Sequence, residues 1–439
     1  MSAPVEHGDL VVSNAVGWRC ATCGTSLHIG AVLPWRCPRA SATDRHHVLQ
    51  IVRRFAPFSP SDDPNPFIAN DAELAWAGFG EAHGMNTDAR AALVRELDVA
   101  IADVCGTGFV VTPFRRRAAL SDALGFTADG GVWVKDETHQ VAGSHKARHL
   151  FTILLHLRAA EILGVAPWNR AADRPPLAIA SCGNAAIAAS TLAAAVGWPI
   201  TVFVPPWASE AVLSTLRQLG ADLQVCPRLD ADPPGDPCIH RFREAVAAGA
   251  VPFSVQGPEN ALCLDGGRVL GFEMIETMGH LLDRVFVQVG GGAFAAGIGA
   301  AFTAAGIHPK LHAVQTEGCA PLERAWRRAI ALPGGASAAA AHWDQCMWPW
   351  ELAPSSAADG ILDDETYDWL GVFDGMVASG GWPVVAPEGD VLAAHEMGVR
   401  LTGIDASPTG TAGLAGLLTI RDEINDSERV AVVFSGVSR

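Results

Sequence analysis

Four short segments carry side chains that could do chemistry together. Gly143-Ser144-His145-Lys146 sets a lysine where a helical pattern begins, with Leu150, Ile153, Leu154 and Leu157 on one face behind it. A lysine at a helix start faces the positive end of the dipole, and that field plus burial favours the neutral amine. A neutral amine is a nucleophile that can form a Schiff base with a carbonyl. Ser181-Cys182-Gly183-Asn184 places small residues and an amide at a second turn, where open backbone N–H groups suit a carboxylate. Gly290-Gly291-Gly292 follows an apolar run and opens a helix, which lets backbone close around a phosphate. Ser435-Gly436 follows the last apolar run, and a buried hydroxyl there can hydrogen-bond a ring nitrogen without protonating it. No Lys-Ser/Thr follows the glycines, so they are not a Walker loop. They also lack the GxGxxG pattern and the acid expected about 20 residues on, which disfavours a dinucleotide oxidoreductase. Singly, each segment reads as an ordinary turn or surface residue; their order and shared setting make the set specific.

The elements that must position them are legible as alternating patterns. Residues 132–135, 177–180, 200–204, 223–226, 285–289, 311–315 and 430–434 are short apolar runs, and read as strands. Helical patterns lie between them: one from Ser144, one over 184–196, and one capped by Ser209 and stopped by Gly220. Apolar strands alternating with helices predict an α/β fold, a mostly parallel sheet covered on both faces. Such sheets bind ligands at the carboxyl ends of their strands, where all four segments fall.

Composition agrees. Of 439 residues 49% are hydrophobic and 18% charged, with a net charge of −16. That excludes disorder as the main state and argues against nucleic acid as a partner. No run of about 18 strongly apolar residues predicts a membrane span. The opening MSAPVEHGDL has no cationic start followed by an apolar stretch, so it is not a secretory leader. Most of the ten cysteines stand singly, among them Cys105, Cys226, Cys263 and Cys319, and are expected reduced in a cytoplasmic protein. Cys20, Cys23 and Cys37 with His47 could form a tetrahedral zinc site; a metal-free relic of one, or a redox pair, fits the same spacing. Residues 55–66 (FAPFSPSDDPNP) read as a linker and the Trp-bearing stretch 332–360 as an insertion or a surface-covering loop.

The combination resembles the fold-type II pyridoxal-phosphate enzymes, the tryptophan synthase β superfamily. VKDETHQVAGSHKAR resembles that family's lysine motif, IASCGNAAIAAS its ASxGNxxxAxA loop, and VQVGGGAFAAGI its phosphate loop. The resemblance covers roughly residues 106–439. It implies two open, mostly parallel twisted sheets covered by helices, with a small N-terminal Cys/His module. It divides the chain into 1–54 (the zinc-ribbon-like module), 55–110 (linker and helical region) and 111–439 (catalytic), the smaller subdomain lying at about 177–260.

The resemblance also implies roles. Lys146 bonds pyridoxal phosphate and later moves the Cα proton. Asn184 partners the phenolic oxygen, Gly290, Gly291 and Gly292 hold the phosphate, and Ser435 partners the ring nitrogen. Ser181, Cys182 and Gly183 hold the substrate carboxylate. His145 stands where threonine synthases and dehydratases usually have Phe, and is similar to the tryptophan synthase β chain, whose His lies near the phosphate. Ala147 replaces the Asp of many threonine synthases, and Cys182 the usual Ser, Thr or Ala. The N-terminal CxxCG resembles threonine synthases; the segments 358–369 and 407–417 resemble substrate-side loops of both threonine synthases and ammonia-lyases.

The expected activity is therefore elimination or replacement on a small amino acid. It is threonine synthase-like first, with threonine/serine dehydratase or diaminopropionate-type ammonia-lyase next, and a non-catalytic cofactor-binding homologue as the rival of another class. A phosphorylated substrate would need a second anion site, for which Arg148 and Arg115–Arg117 are candidates. Glu317 is a candidate catalytic carboxylate or an ordinary cap. A homodimer is implied by the resemblance alone.

Overall fold

Apolar strands that must be covered on both faces end up in the middle of sheets. The computed structural model describes residues 13–41, 43–233 and 235–439; residues 1–10, read above for a leader, lie outside them. Arg429–Phe434, buried from Val430 on, is central in a six-stranded sheet. The order across that sheet is Val384–Ala386, Lys310–Thr316, Arg284–Gln288, Arg429–Phe434, Gly131–Asp136, Phe114–Arg116. All neighbours are parallel except the last pair. The register sets Phe434 beside Asp136, so the segments that follow these two strands leave from one edge.

A smaller sheet, wholly parallel, runs Asp222–Val225, Ile200–Val204, Leu177–Ala180, Val251–Pro252. A third, antiparallel sheet of Ser26–His28, Ala15–Cys20 and Leu49–Arg53 forms the N-terminal module. Between module and sheets, Pro66–Ala69, Ala75–Ala82 and Thr87–Cys105 are helical, and the residues from Ala56 to Asn65 have no regular structure. The module is not a separate bead: Trp18, Cys20 and Cys37 share a core with Trp76, Phe79 and Phe151.

The helix Lys146–Ile162 is buried along nearly its whole length and packs on Asn184–Ala195 and Leu264–Met278. It begins two residues later than the pattern from Ser144 suggests, because Ser144 bridges to Gly436 in extended conformation. Its second residue past the lysine corrects an expectation. Arg148 offers no second anion site: its guanidinium is fully buried, bonded to Glu137 Oε2 at 2.7 Å and to Glu273 Oε1 at 2.5 Å. Lys135 pairs with Glu273 and donates to Thr112 O at 2.8 Å. Opposing charges with every partner present are a structural clamp, and removing one member would strand a buried charge.

Arg115–Arg117 are corrected as well. Phe114–Arg116 runs antiparallel, so Arg116 lies toward the amino end of Gly131–Asp136 and bonds Gly130 O, away from the ligand edge. Residues 332–360 are no plain loop: Gly335–Ala341 and Trp343–Cys346 are helices, and the Trp343 ring stands edge-on to the buried Trp369. All ten cysteines are free; Cys226, Cys263 and Cys319 are buried, and Cys105 half-buried. No helix among the described residues is long and apolar enough to cross a membrane.

Candidate active site

Three of the four segments meet at the carboxyl edge of the large sheet, and the fourth reaches them from the smaller sheet. Lys146 is the first residue of its helix and half-buried, and no hydrogen bond or ion pair holds its amine. The chain contains only three lysines. Lys135 is locked in the buried clamp and Lys310 is exposed at a strand start, so Lys146 alone pairs shelter with freedom. Burial lowers its ammonium below lysine's ordinary value, against the opposing pull of Asp363 and Cys263.

His145 is fixed from the same strand end that carries Ser435. Its backbone N–H and its Nδ1 both bond Ser435 O at 3.0 Å. A carbonyl only accepts, so Nδ1 carries the hydrogen, which leaves the buried Nε2 without a partner. Burial pushes the His145 imidazolium well below its usual range, and the ring stacks on Phe294 at 4.0 Å. Phe294 sits in the first turn of Ala293–Ala304, the helix that the three glycines open.

Ser435 Oγ accepts from Gln288 Nε2 at 2.7 Å, so its own hydrogen is free to donate. Asn184 starts the helix from the smaller sheet. Its Oδ1 accepts from Arg439 Nε at 2.6 Å, and its Nδ2 donates to Val437 O at 3.4 Å, beside Gly436. Ser181, Cys182 and Gly183 are half-buried in the turn before it, open to a ligand. Burial pushes the Cys182 thiol up, so it serves as a small neutral side chain rather than a nucleophile.

The glycine turn is an anion seat by construction. Gly292 has φ +96°, the left-handed region, and a Cβ on Gly290 would overlap Asp363 Oδ2. Gly291 N–H bonds the Asp363 carboxyl, and Gly291 O accepts from Asp368 N at 2.8 Å. Backbone N–H groups opening a helix favour a negative group there. Several buried polar atoms on the segments that meet here have no partner among the described residues: Ser144 Oγ, His145 Nε2, Gln288 Oε1 and Asp368 Oδ1. Buried polar atoms without partners are costly in a structural core, and here they mark where a ligand completes the set.

Sequence reasoning missed Asp363, Asp368 and Gln288. The resemblance puts 358–369 on the substrate side, but nothing local says which of its acids folds onto the glycines. The segment also borders a cleft open to solvent, lined by Asp364 and Tyr367, by Asp236 and Arg243, and by Arg45 and His46 of the N-terminal module. Glu317 stands at a strand end of the same edge, exposed, and accepts from Glu388 N at 2.9 Å; it caps the helix Glu388–Thr402.

The Cys20, Cys23, Cys37 and His47 ligand atoms lie within 4.8 Å of one another. His47 Nδ1 is 3.4 Å from Cys20 Sγ, and its other nitrogen is 3.2 Å from Asp44 Oδ2. Three sulfurs and one nitrogen, with a carboxylate behind the imidazole, are the donor set and outer support that zinc takes.

Comparison with known proteins gives the same direction. The family model described as "Pyridoxal-phosphate dependent enzyme" matches residues 107–436. A mouse protein named serine dehydratase-like is 28% identical over 277 residues, 58% of this chain and 77% of that one. The biosynthetic L-threonine dehydratase of Haemophilus influenzae is 25% identical over 330 residues; the match spans 75% of this chain but only 56% of the relative. The solved processed form of threonine deaminase isoform 2 from Solanum lycopersicum superposes with a TM-score of 0.59 at 16% identity, covering 88% of this chain and 95% of that one. That likeness establishes the fold alone.

Proposed function

This chain belongs to the pyridoxal-phosphate dependent enzyme family, and on that premise we propose that it eliminates a neutral β-substituent, a hydroxyl first of all, from a small amino acid such as serine or threonine. The observation that carries the reading is Lys146: a half-buried, unpaired amine at a helix start, beside a glycine seat that already holds a carboxylate. When bound, the cofactor supplies the electron sink that makes a Cα proton removable. Gly290, Gly291 and Gly292 would hold its phosphate, with His145 Nε2 beside them. Ser435 would donate its hydroxyl hydrogen to the ring nitrogen, and Asn184 Nδ2 would meet the phenolic oxygen. Ser181, Cys182 and Gly183 would receive the substrate carboxylate on backbone N–H groups. Lys146 Nζ removes the Cα proton, which burial prepares by favouring the neutral amine.

The charge around the site selects among leaving groups. The arginines considered for a second anion are committed to the buried clamp or lie at the other end of the sheet. The open cleft beside the glycines mixes signs: Asp236 and Asp364 line it together with Arg45 and Arg243, the last paired with Glu259. With those arginines committed elsewhere, the serine dehydratase-like and L-threonine dehydratase relatives favour dehydration over the threonine synthase-like reaction. The Cys/His cluster favours the latter as a second reading. We take the cluster to hold one structural zinc ion. The ten free cysteines support a reducing, cytoplasmic setting; a homodimer rests on the family resemblance. The test is direct. Protein loaded with pyridoxal phosphate is given L-serine, L-threonine and O-phospho-L-serine, and 2-oxo acid and ammonia are measured. Turnover of the two hydroxy amino acids above the phosphorylated one supports the reading; turnover of the phosphorylated one alone, or of none, ends it.

A further inference from the structure

One carboxyl of the site has no place in the roles above. Asp363 is half-buried in the turn between Asp359–Ile361 and the helix Trp369–Ser379. Its position is tied down from three sides. Its carboxyl accepts from Gly291 N–H, its carbonyl accepts from Cys319 Sγ at 3.3 Å, and the next residue's carbonyl accepts from Trp350 N at 2.8 Å. Five residues on, Asp368 N bonds Gly291 O at 2.8 Å and Asp368 Oδ2 accepts from Gly257 N at 2.9 Å, so both ends of the segment are fastened around the glycines. Asp363 is also the carboxylate that bears most on the Lys146 amine. No ion pair joins the two groups among the described residues.

We infer that Asp363 is the second proton-transfer residue of this site, delivering a proton to the departing β-oxygen while Lys146 takes one from Cα. This rests on the elimination reading above and names the acid that it needs. The step balances. The Cα–H bond breaks and its proton goes to Lys146 Nζ. The electron pair forms the Cα–Cβ double bond as the Cβ–O bond breaks, and the pair on oxygen takes the Asp363 proton, so water leaves. Asp363 is left as a carboxylate and Lys146 as an ammonium. Transfer of one proton between them through solvent restores both.

The surroundings suit the task. Burial raises the Asp363 carboxyl from 3.8 to about 6, Lys146 opposes that, Asp364 adds to it, Gly291 N–H opposes it, and Asp236 adds a further push. Tyr367 and Cys319, the other titratable groups in reach, are themselves driven upward and stay neutral. A phosphate on the glycine seat adds negative charge beside Asp363, which favours keeping its proton, and the ammonium that forms on Lys146 as it takes the Cα proton favours releasing it. A carboxyl held protonated there is what a general acid requires.

The test uses the loaded holoenzyme of the wild type, Asp363→Asn and Asp363→Glu. Three quantities are read: the visible band of the lysine-bound cofactor, exchange of the Cα hydrogen of L-serine in heavy water, and pyruvate release. Expected for Asp363→Asn are an unchanged band, exchange within severalfold of wild type, and pyruvate from serine down about 10²–10⁴-fold, the usual worth of a general acid. β-Chloro-L-alanine, whose chloride needs no proton to leave, should restore pyruvate release to within about tenfold, and Asp363→Glu should recover part of the serine rate. Equal loss with serine and chloroalanine, or loss with neither, overturns the role. Should the Asn variant fail to fold, wild type still decides. Serine turnover must fall as pH rises through the Asp363 titration while chloroalanine turnover does not; parallel profiles overturn the role. Wild type that eliminates neither substrate overturns the elimination reading itself, and this role with it.

Discussion

Two charged clusters share the first turn of one helix, and they could hardly differ more. Around Arg148, every donor and acceptor is matched: Glu137, Glu273, Lys135 and Thr112 close the set without access to solvent. Around Lys146, two residues earlier, the amine has no partner, and His145 Nε2 and Ser144 Oγ are unsatisfied. Both clusters look alike in composition. What separates architecture from chemistry is unfilled hydrogen-bonding capacity next to a cleft, not charge density. A clamp is finished by folding; a site is finished by its ligand.

The contrast is broken or sharpened by variants, in order of expected effect. Lys146→Ala should cut turnover about 10⁴-fold or more, because the nucleophile and Cα base are both lost, yet leave the melting temperature unchanged or raised. Arg148→Met should do the opposite in kind. Leaving Glu137 and half of Glu273 uncompensated should cost about 3–5 kcal/mol of stability, read as a lowered urea midpoint. A Lys146 variant that unfolds, or an Arg148 variant that folds normally and fails only in catalysis, would reverse the distinction.

The Cys/His module gives an intermediate case, a set completed by an ion and built from none of the reacting groups. Cys37→Ser should take bound zinc from one ion per chain to a small fraction, by elemental analysis, and lower the melting temperature by several degrees. Cofactor uptake at low temperature should survive. Zinc content equal in both proteins would remove the metal from the account.

The smallest effect concerns Asp368, whose Oδ1 is buried and unpartnered. Burial raises its carboxyl from 3.8 to about 7, with the Gly257 N–H opposing. The folded state therefore holds this proton more tightly than the unfolded chain. The associated stability is complete below the unfolded value and is lost as pH rises toward and through 7. Asp368→Asn keeps an acceptor for Gly257 N–H and carries no charge. Its melting temperature should exceed wild type by a few degrees at pH 8, with the gap narrowing toward pH 5. A gap independent of pH would contradict the burial argument.

Much of this was readable from local pattern. The strands Leu177–Ala180 and Ile200–Val204 coincide with their apolar runs, and Asn184 opens its helix as the glycine before it suggests. Phe114–Arg116 and Val384–Ala386 were not foreseen, since three residues at a sheet edge owe their conformation to a neighbour rather than to their own pattern. Arg148 was misread because a buried ion pair and an anion site use the same residue types. Asp363 stayed unnamed because its meaning lies in its closeness to the glycine turn and its electrostatic pull on Lys146, both far away in sequence.

The central claim is that Lys146 is the residue that bonds the cofactor, and chemistry can fix that bond in place. The protein is loaded with pyridoxal phosphate, reduced with borohydride, digested, and its peptides weighed. With only Lys135, Lys146 and Lys310 available, the account predicts a single pyridoxyl adduct, on Lys146, that is absent from Lys146→Ala. An adduct on Lys310 alone, or none at all, would contradict it.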